Sequence, residues 1–300
     1  MANHSLSGES VNDYRSQEFD HERSLDGEPY TDQYRRKETV GPDDVSELFH
    51  ENTKLDRVLL ERLTKSAAEL SATLGGIETQ IDPDYLDRER VELPDPPELT
   101  TEFGSVLESR SSAESFGPGS FDAEQLSQCL YYGVGQQTDG VPSRTYPSPG
   151  GLYPSEVYPV LLDVDGYDPG LYHYNHDGHF LRELELFDSE ESLLDRIEEC
   201  VYTDGVIPDI GDASVVFLVA ADFWRAKFKY GPRGYRYVLQ ENGHLAENIL
   251  LTLTAMNLIG RPLAAFFDRE TNDFVGLDGV NEAVTYVVAA GHEAQRGGSA

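Results

Sequence analysis

Cysteine is nearly absent from this chain. Only Cys129 and Cys200 occur, and no C-x-x-C spacing exists, so neither a disulfide framework nor a cysteine zinc site can be assembled. Both thiols are expected to be buried. Lysine is scarce as well: Lys37, Lys54, Lys65, Lys227 and Lys229 are the full set, and arginine fills the other basic positions. No window approaches the roughly 20 apolar residues of a membrane span. The opening MANHSLSGES has no basic start followed by an apolar run. These absences predict a soluble, cytoplasmic protein.

Positive charge is what the chain lacks most. Against 55 acidic residues stand 23 basic ones, a formal charge of -32 spread along the whole length. A phosphate backbone would be repelled, which excludes a nucleic-acid binder. An acidic, lysine-poor surface predicts a cytoplasm rich in salt. There the screening length falls to about 3 Å at molar ionic strength and self-repulsion is largely cancelled. A halophile's protein that needs salt to fold is the expectation.

What is present is enough for one large domain plus an extension in 300 residues. Residues 1–40 are polar, charged and almost without aliphatic side chains, so nothing offsets the entropy of ordering them, and disorder is expected. Residues 41–92 read as a helical arm, with Val45, Leu48 and Phe49 on one face and Leu55, Val58, Leu59, Leu63 and Leu70 continuing the period to about 74. Leu93-Pro94-Asp95-Pro96-Pro97 cannot be helix, because proline lacks the donor and restricts its predecessor; 93–99 is expected to be a linker. The main domain then covers 100–292, and 293–300 is a tail.

Within that domain the pattern predicts a helix over 122–133, a Pro/Gly-rich loop to Tyr153 and a strand over 156–163. A hairpin follows, with arms 171–174 and 180–186 and Asp177-Gly178 supplying positive φ at its turn. Next come a helix over 189–201, a buried strand over 213–221 (ASVVFLVAA) and a long helix over 232–258 ended by Gly260. Strands at 262–267 and 283–290 flank a short helix at 271–275. Strands and helices intermingle without repeated βαβ units, so the class is α+β.

Three blocks stand out. The first is Ser148-Pro149-Gly150-Gly151-Leu152-Tyr153-Pro154-Ser155-Glu156-Val157-Tyr158. The second runs Phe223-Trp224-Arg225-Ala226-Lys227-Phe228-Lys229-Tyr230-Gly231 into Arg233-Gly234-Tyr235-Arg236-Tyr237, and the third is Gly243-His244-Leu245-Ala246-Glu247-Asn248. The first resembles the Pro-Ser-Ala-Gly-x-Leu-Tyr-Pro-x-Glu-x-Tyr signature of SagB-type dehydrogenases, and the next block is similar to the same family's Lys-Tyr motif. Gly276-Leu277-Asp278-Gly279 and the upstream Phe49-His50-Glu51-Asn52-Thr53-Lys54 are also similar to runs of that family, so the resemblance spans about 45 to 292. It implies a nitroreductase-like fold, an antiparallel or mixed central sheet flanked by helices. It also implies a flavin mononucleotide (FMN) at a homodimer interface, and dehydrogenation of azolines to azoles in ribosomally made peptides. A cyclodehydratase and a peptide substrate are the partners it suggests.

Flavin chemistry asks for a phosphate clamp, donors to the ring, an open face and a proton-transfer group. In the 148–151 loop the lack of bulky side chains lets backbone N–H groups approach a flat ring, with Gly150 and Gly151 tolerating unusual dihedrals and Ser148 able to donate to the ring edge. The plain alternative is a surface turn before a strand. Arg110 and Ser112 fall where nitroreductases carry an Arg-Arg-Ser-x-Arg run, but Ser111 replaces its second arginine and Glu114 its last. Arg144, Arg261 or Arg296 could compensate. Ala265 is assigned the backbone N–H that this fold turns toward the flavin N5. Lys229 and Tyr230 are the proposed catalytic pair, the lysine taking a proton as a desolvated base and the tyrosine orienting it or bonding the substrate ring nitrogen; the bland reading makes both surface residues. Asn248 reaches the cofactor or the other subunit, or is a satisfied core amide.

Two patterns are set aside. Gly133-Val134-Gly135 resembles a dinucleotide fingerprint but follows a helix and has no third glycine. His173, His176 and His179 sit on a hairpin whose turn should splay them, and no carboxylate motif completes a metal site. Outside the azoline reading, an NAD(P)H-dependent nitro- or quinone reductase and a non-catalytic peptide- or flavin-binding module remain open.

Overall fold

A computed structural model describes residues 45–55, 85–137, 143–201 and 210–294. The expected disordered start, most of the arm, and Arg296 with the end of the tail lie outside the described residues. The helix α1 (Val45–Asn52) belongs to the first of two units, Met1–Lys54, and every later element to the second, Leu55–Ala300. The chain leaves the helix at Thr53 instead of continuing its apolar period. The Thr53 hydroxyl bonds back to the Phe49 carbonyl at 2.5 Å, a local side-chain competitor for the helical ladder.

The short strand β1 (Arg90–Glu92) pairs antiparallel with the later strand at Phe180, although its sequence fell inside the predicted arm. Its Arg90 guanidinium lies over the Phe180 ring at 4.0 Å, a charged covering suited to a sheet edge. The proline stretch after it is not helical, as expected, but neither is it a loose linker. The Pro94 carbonyl accepts from Ser127 at 2.6 Å and the Pro97 carbonyl from Gln128 at 3.0 Å.

Then follow α2 (Phe103–Ser109), β2 (Phe116–Gly117) and α3 (Ala123–Val134). The last is opened by Asp122, which with Gln125 forms a reciprocal capping box. The pair β3 (Gln136–Gln137) and β4 (Ser143–Arg144) makes a small separate ribbon. Next are β5 (Ser155–Leu161), β6 (Gly170–Asn175) and β7 (Phe180–Leu186). The β6–β7 turn corrects one expectation: its positive φ of 50° belongs to His179, not to Asp177-Gly178. Gly178 is needed for space, since a Cβ there would lie 2.5 Å from the Phe180 ring.

The helix α4 (Glu190–Glu198), capped by Ser189, leads to β8 (Val215–Asp222). Directly after it comes α5 (Phe223–Tyr230), a helix for which the sequence pattern gave no element. A 3₁₀ turn over Gly231–Arg233 absorbs Pro232, so the long helix α6 (Gly234–Ala255) starts later than predicted. It also stops earlier: Asn257 takes the left-handed conformation at φ 59°, and Gly260 already lies in β9 (Ile259–Leu263). The chain closes with α7 (Asp268–Val275), ended by Gly276 at φ 83°, and β10 (Glu282–Glu293).

The strands form one eight-stranded sheet in the order β1-β7-β6-β5-β8-β10-β2, with β9 also pairing β10, and all of these ladders are antiparallel. The central strands β5 and β8 are buried nearly throughout, which is why β8 reads as a continuous apolar run, whereas β5 opens with the polar Ser155 and Glu156. On one face Phe217 and Val219 meet Leu126, Leu130, Leu245 and Ile249 of α3 and α6. On the other, Val216 and Leu218 meet Leu193, Ile197 and Phe274 of α4 and α7. The α+β class and the helix-flanked sheet stand as predicted. Cys129 and Cys200 are both buried. Among the described residues no helix is long and apolar enough to cross a membrane.

Candidate functional site

The loop before β5 is the most unusual piece of backbone in the domain. Gly150, Gly151 and Tyr153 have φ of 72°, 67° and 43°, and the last is costly for a residue with a Cβ. Local bonds hold the shape. Gly151 N–H donates to the Ser148 carbonyl at 3.0 Å, and Tyr153 N–H to the Ser148 hydroxyl oxygen at 2.9 Å.

This loop lies against the end of α5. A Cβ built on Gly150 would collide with the Tyr230 hydroxyl and sit 3.0 Å from Lys229 Nζ. The first and second sequence blocks, far apart in the chain, are thus brought together at the pair assigned to proton transfer. Lys229 and Tyr230 are both half-buried, so neither is a freely solvated surface residue. The Tyr230 ring makes an edge contact with Tyr237 at 5.0 Å, and burial raises its hydroxyl pKa.

The same two blocks are joined by charge. Asp222 caps α5 by accepting from Trp224 N–H at 2.8 Å, and Arg225 pairs with Asp222 at 3.3 Å and with Glu156 of β5 at 2.6 Å. Glu156 is 4% exposed, and His173 lies 3.2 Å from it. Burial pushes this carboxyl up. The His173 bond and the charges of Arg144 and Arg225 outweigh that and hold it at about 2.

Arg144 belongs to this interior cluster. Its guanidinium donates to Tyr146 at 2.8 Å and to the Ser155 carbonyl at 2.6 Å, and meets His176 at 2.9 Å. It is 6% exposed, so in this structure it faces buried partners and does not point into an open site where it would replace the missing clamp arginines. The three hairpin histidines go to different partners: His173 to Glu156, His176 to Arg144 and Asp177, and His179 to Ser127 and Tyr174. Carboxylates do stand beside two of them, Glu156 of the adjoining strand beside His173 and Asp177 of the turn beside His176. Among the described residues no group of three such side chains could hold a metal ion.

Sequence reasoning missed Glu241, Asn242 and Ser155. Glu241 is completely buried and accepts from Ser148 Oγ at 2.5 Å and from Ser155 Oγ at 2.8 Å. The Ser148 proton is therefore directed at Glu241 and not at an open ring-binding face, as had been expected. Ser155 also bonds Asn242, which in turn bonds Thr285 at the β10 bulge. A signal existed: Glu241 sits three residues after Val238 and four before Leu245, on the buried stripe of α6. A carboxylate at a core position needs partners.

The clamp candidates form a second group. Arg110 ends α2 with its Nε 3.8 Å from Glu247 of α6. Ser112 bridges to Gly260, Ala113 N–H donates to the Gly260 carbonyl at 3.0 Å, and Arg261 donates to the Ala113 carbonyl at 3.0 Å. Ser112 and Arg261 are thereby gathered at the start of β9, Arg110 stands two residues before Ser112 against α6, and Ala265 follows two residues after the end of β9. Asn248 donates to the Thr145 carbonyl at 3.1 Å, a bonded amide tying α6 to the ribbon. Along α6 the two groups, at Glu241 and Glu247, are separated by about 9 Å of helix. A cleft of about 360 Å³ is lined by Phe223, Lys227, Tyr235, Leu239 and Phe266 among others; none of the expected site residues borders it.

The donor set is chemically suited to a flat anionic cofactor. A guanidinium, a hydroxyl-bearing segment and a glycine turn with open space at Gly151 are present, although one carboxylate already engages the guanidinium.

Comparisons agree with this architecture. A Methanocaldococcus jannaschii protein described as a nitroreductase is 32% identical over 192 residues, covering 63% of this chain and 90% of that protein. The Escherichia coli microcin B17-processing protein McbC is 29% identical over 142 residues, covering 45% of this chain and 49% of McbC. Among solved structures, a Ralstonia eutropha nitroreductase superposes with a TM-score of 0.58 at 19% identity, over 73% of this chain and 96% of that one. A chain of the Escherichia coli microcin synthetase McbBCD complex with truncated pro-MccB17 bound does so with a TM-score of 0.53 at 21% identity, over 80% and 98%. The model of the nitroreductase family matches residues 107–292, and the chain belongs to that family.

Proposed function

We propose that this oxidoreductase uses FMN to dehydrogenate azolines to azoles in a ribosomally made peptide. The observation that carries the proposal is the meeting of the Gly150 turn with Tyr230 and Lys229 Nζ. That contact supports the reading, because a base and a hydroxyl stand beside a backbone surface able to receive a flat ring. Similarity to McbC, a microcin-processing protein, supports a peptide as the substrate class.

FMN, when bound, supplies the acceptor for a hydride from one ring carbon of the azoline. Aromatisation requires the neighbouring carbon to lose a proton, and Lys229 is assigned to take it. Tyr230 orients the lysine amine or donates a hydrogen bond to the ring nitrogen. Arg110 and Ser112 would hold the phosphate, the Gly150–Gly151 backbone the ring edge, and the Ala265 N–H the reactive side of the ring. A homodimer completes the site in this reading, and a cyclodehydratase supplies the azoline, as expected if the likeness to the microcin synthetase chain extends to assembly.

A second reading is favoured by the 32% identical nitroreductase homologue: reduction of a nitro compound or quinone with NAD(P)H. It needs no dedicated base, so the two readings diverge at Lys229. The test is an absorption spectrum and turnover assay in molar potassium chloride on wild type, Lys229→Ala and Arg110→Ala. The proposal expects a yellow wild type, retention of colour but loss of azoline oxidation in Lys229→Ala, and weakened colour in Arg110→Ala. Unchanged quinone reduction in Lys229→Ala without any azoline oxidation by the wild type supports the second reading. A colourless wild type that takes up no added FMN makes the chain a binding module.

A further inference from the structure

One buried carboxylate has no place in the chemistry above, yet it touches both ends of the loop on which that chemistry depends. Glu241 Oε2 accepts from Ser148, the residue before the glycine turn, and Oε1 from the hydroxyl of Ser155, the first residue of β5. The Ser155 N–H also points at Oε1, at 3.4 Å. Between these two serines lie the three residues with positive φ. The loop therefore spans two anchor points on one side chain, and that side chain is fixed on a 22-residue helix packed into the core.

The surroundings make Glu241 an expensive way to fill space. It is completely buried, and burial raises its carboxyl pKa against the opposing pull of Ser148, Ser155 and the Arg144 charge. A leucine in its place would extend the stripe of Val238 and Leu245 without desolvating a carboxylate. It would also leave Ser148 without its acceptor and Ser155 without one of its two.

We propose that Glu241 is a positioning residue: it holds the 148–155 loop so that Gly150 stays seated against Lys229 and Tyr230. It touches neither substrate nor cofactor in this role. The effect on catalysis rests on the FMN reading, whereas the effect on the loop does not. Without the carboxylate, the positive φ at Tyr153 loses part of what over-determines it, and the loop relaxes away from α5. A displacement of about 1 Å in such a frame is enough to cost roughly a hundredfold in rate.

The experiment compares wild type, Glu241→Ala and Glu241→Gln by hydrogen exchange resolved to peptides, and by turnover where the wild type turns over. Gln keeps an oxygen for Ser155 and an amide that can donate to Ser148 Oγ. In Glu241→Ala, exchange across 148–155 should rise at least about tenfold while the peptides of α6 from Leu245 to Leu253 stay protected. Glu241→Gln should restore most of that protection. Turnover should follow the same order, with kcat falling more than KM rises in Glu241→Ala. Unchanged exchange in the loop of Glu241→Ala overturns the proposal, and so does loss of protection spread equally over α6. A wild type without flavin activity sinks the functional reading alone, since the exchange data still decide whether Glu241 anchors the loop. If Glu241→Ala does not fold, Ser148→Ala removes one anchor from the loop side and must raise exchange in the same segment.

Discussion

Gly150 leaves no room for a methyl group beside Tyr230: a Cβ would overlap the Tyr230 hydroxyl and approach Lys229 Nζ to 3.0 Å. Gly151, one residue on and also left-handed at φ 67°, faces nothing within 4 Å. The two glycines therefore separate backbone strain from steric contact. Gly151→Ala should cost about 1 kcal/mol from its dihedral alone and keep most activity. Gly150→Ala adds a collision with the proposed proton-transfer pair, so turnover should fall at least about tenfold, which corresponds to ~1.4 kcal/mol. Thermal melts alongside turnover check this, and equal activity losses in the two variants would show that the contact with Tyr230 is irrelevant.

The Glu156–Arg225 pair makes a prediction about stability. Removing one partner from a buried ion pair leaves the other uncompensated, so Glu156→Gln should destabilise by about 3–5 kcal/mol. The pH dependence has a definite sign. A carboxyl held at about 2 in the fold, below its ordinary 4.5, contributes stability that is present above pH 4.5 and lost as pH falls toward 2. Urea unfolding from pH 6 to pH 2.5 should therefore show a steeper decline in wild type than in Glu156→Gln. Parallel curves would mean that Glu156 is not held down.

How far the sequence reached depends on what each feature rests on. Elements built on apolar period were legible: the ASVVFLVAA run became β8, and the 122–133 pattern became α3 with its capping box. The α5 helix was not, because Phe223-Trp224-Arg225-Ala226-Lys227-Phe228-Lys229-Tyr230 is only 8 residues long and follows directly on a strand, too short a window for its period to declare itself; it is held by the Asp222 cap and the Arg225 pair with Glu156. Arg90–Glu92 was misplaced because three residues carry no period, and its pairing partner lies far along the chain. The candidate site followed the same division. Gly150, Lys229 and Tyr230 were singled out through their motif blocks, and the fold brings them together, whereas Glu241 and Arg225 have partners that only the folded chain brings near.

The Arg110–Glu247 pair predicts that cofactor affinity can be moved in either direction. At 3.8 Å and with side chains 32% and 51% exposed, it is a weak pair, worth about 0.2–1 kcal/mol. In the proposed site, the FMN phosphate would have to take the Arg110 guanidinium from Glu247. Glu247→Gln should tighten FMN binding by up to about fivefold, and Arg110→Ala should weaken it at least about tenfold. Quenching of flavin fluorescence on titration reads both. Weaker binding in Glu247→Gln would place the carboxylate among the groups that hold the cofactor.

The charge balance yields the last prediction. With 55 acidic residues and 23 basic ones, the fold is opposed by repulsion that salt relieves, the screening length shrinking from about 10 Å at 0.1 M to about 3 Å at 1 M. The buried Glu156 cluster is shielded from solvent ions and should respond little, so the effect must come from the exposed carboxylates. A gain of a few kcal/mol would raise Tm by roughly 10 °C in a domain of this size. Melting in potassium chloride from 0.1 to 2 M, with sucrose at matched osmolality as the uncharged control, separates screening from solute exclusion. A Tm rising in the salt series well beyond the sucrose series confirms that charge opposes this fold. A flat salt series would mean that the acidic surface carries no net penalty, and the expectation of a salt-requiring protein would fall with it.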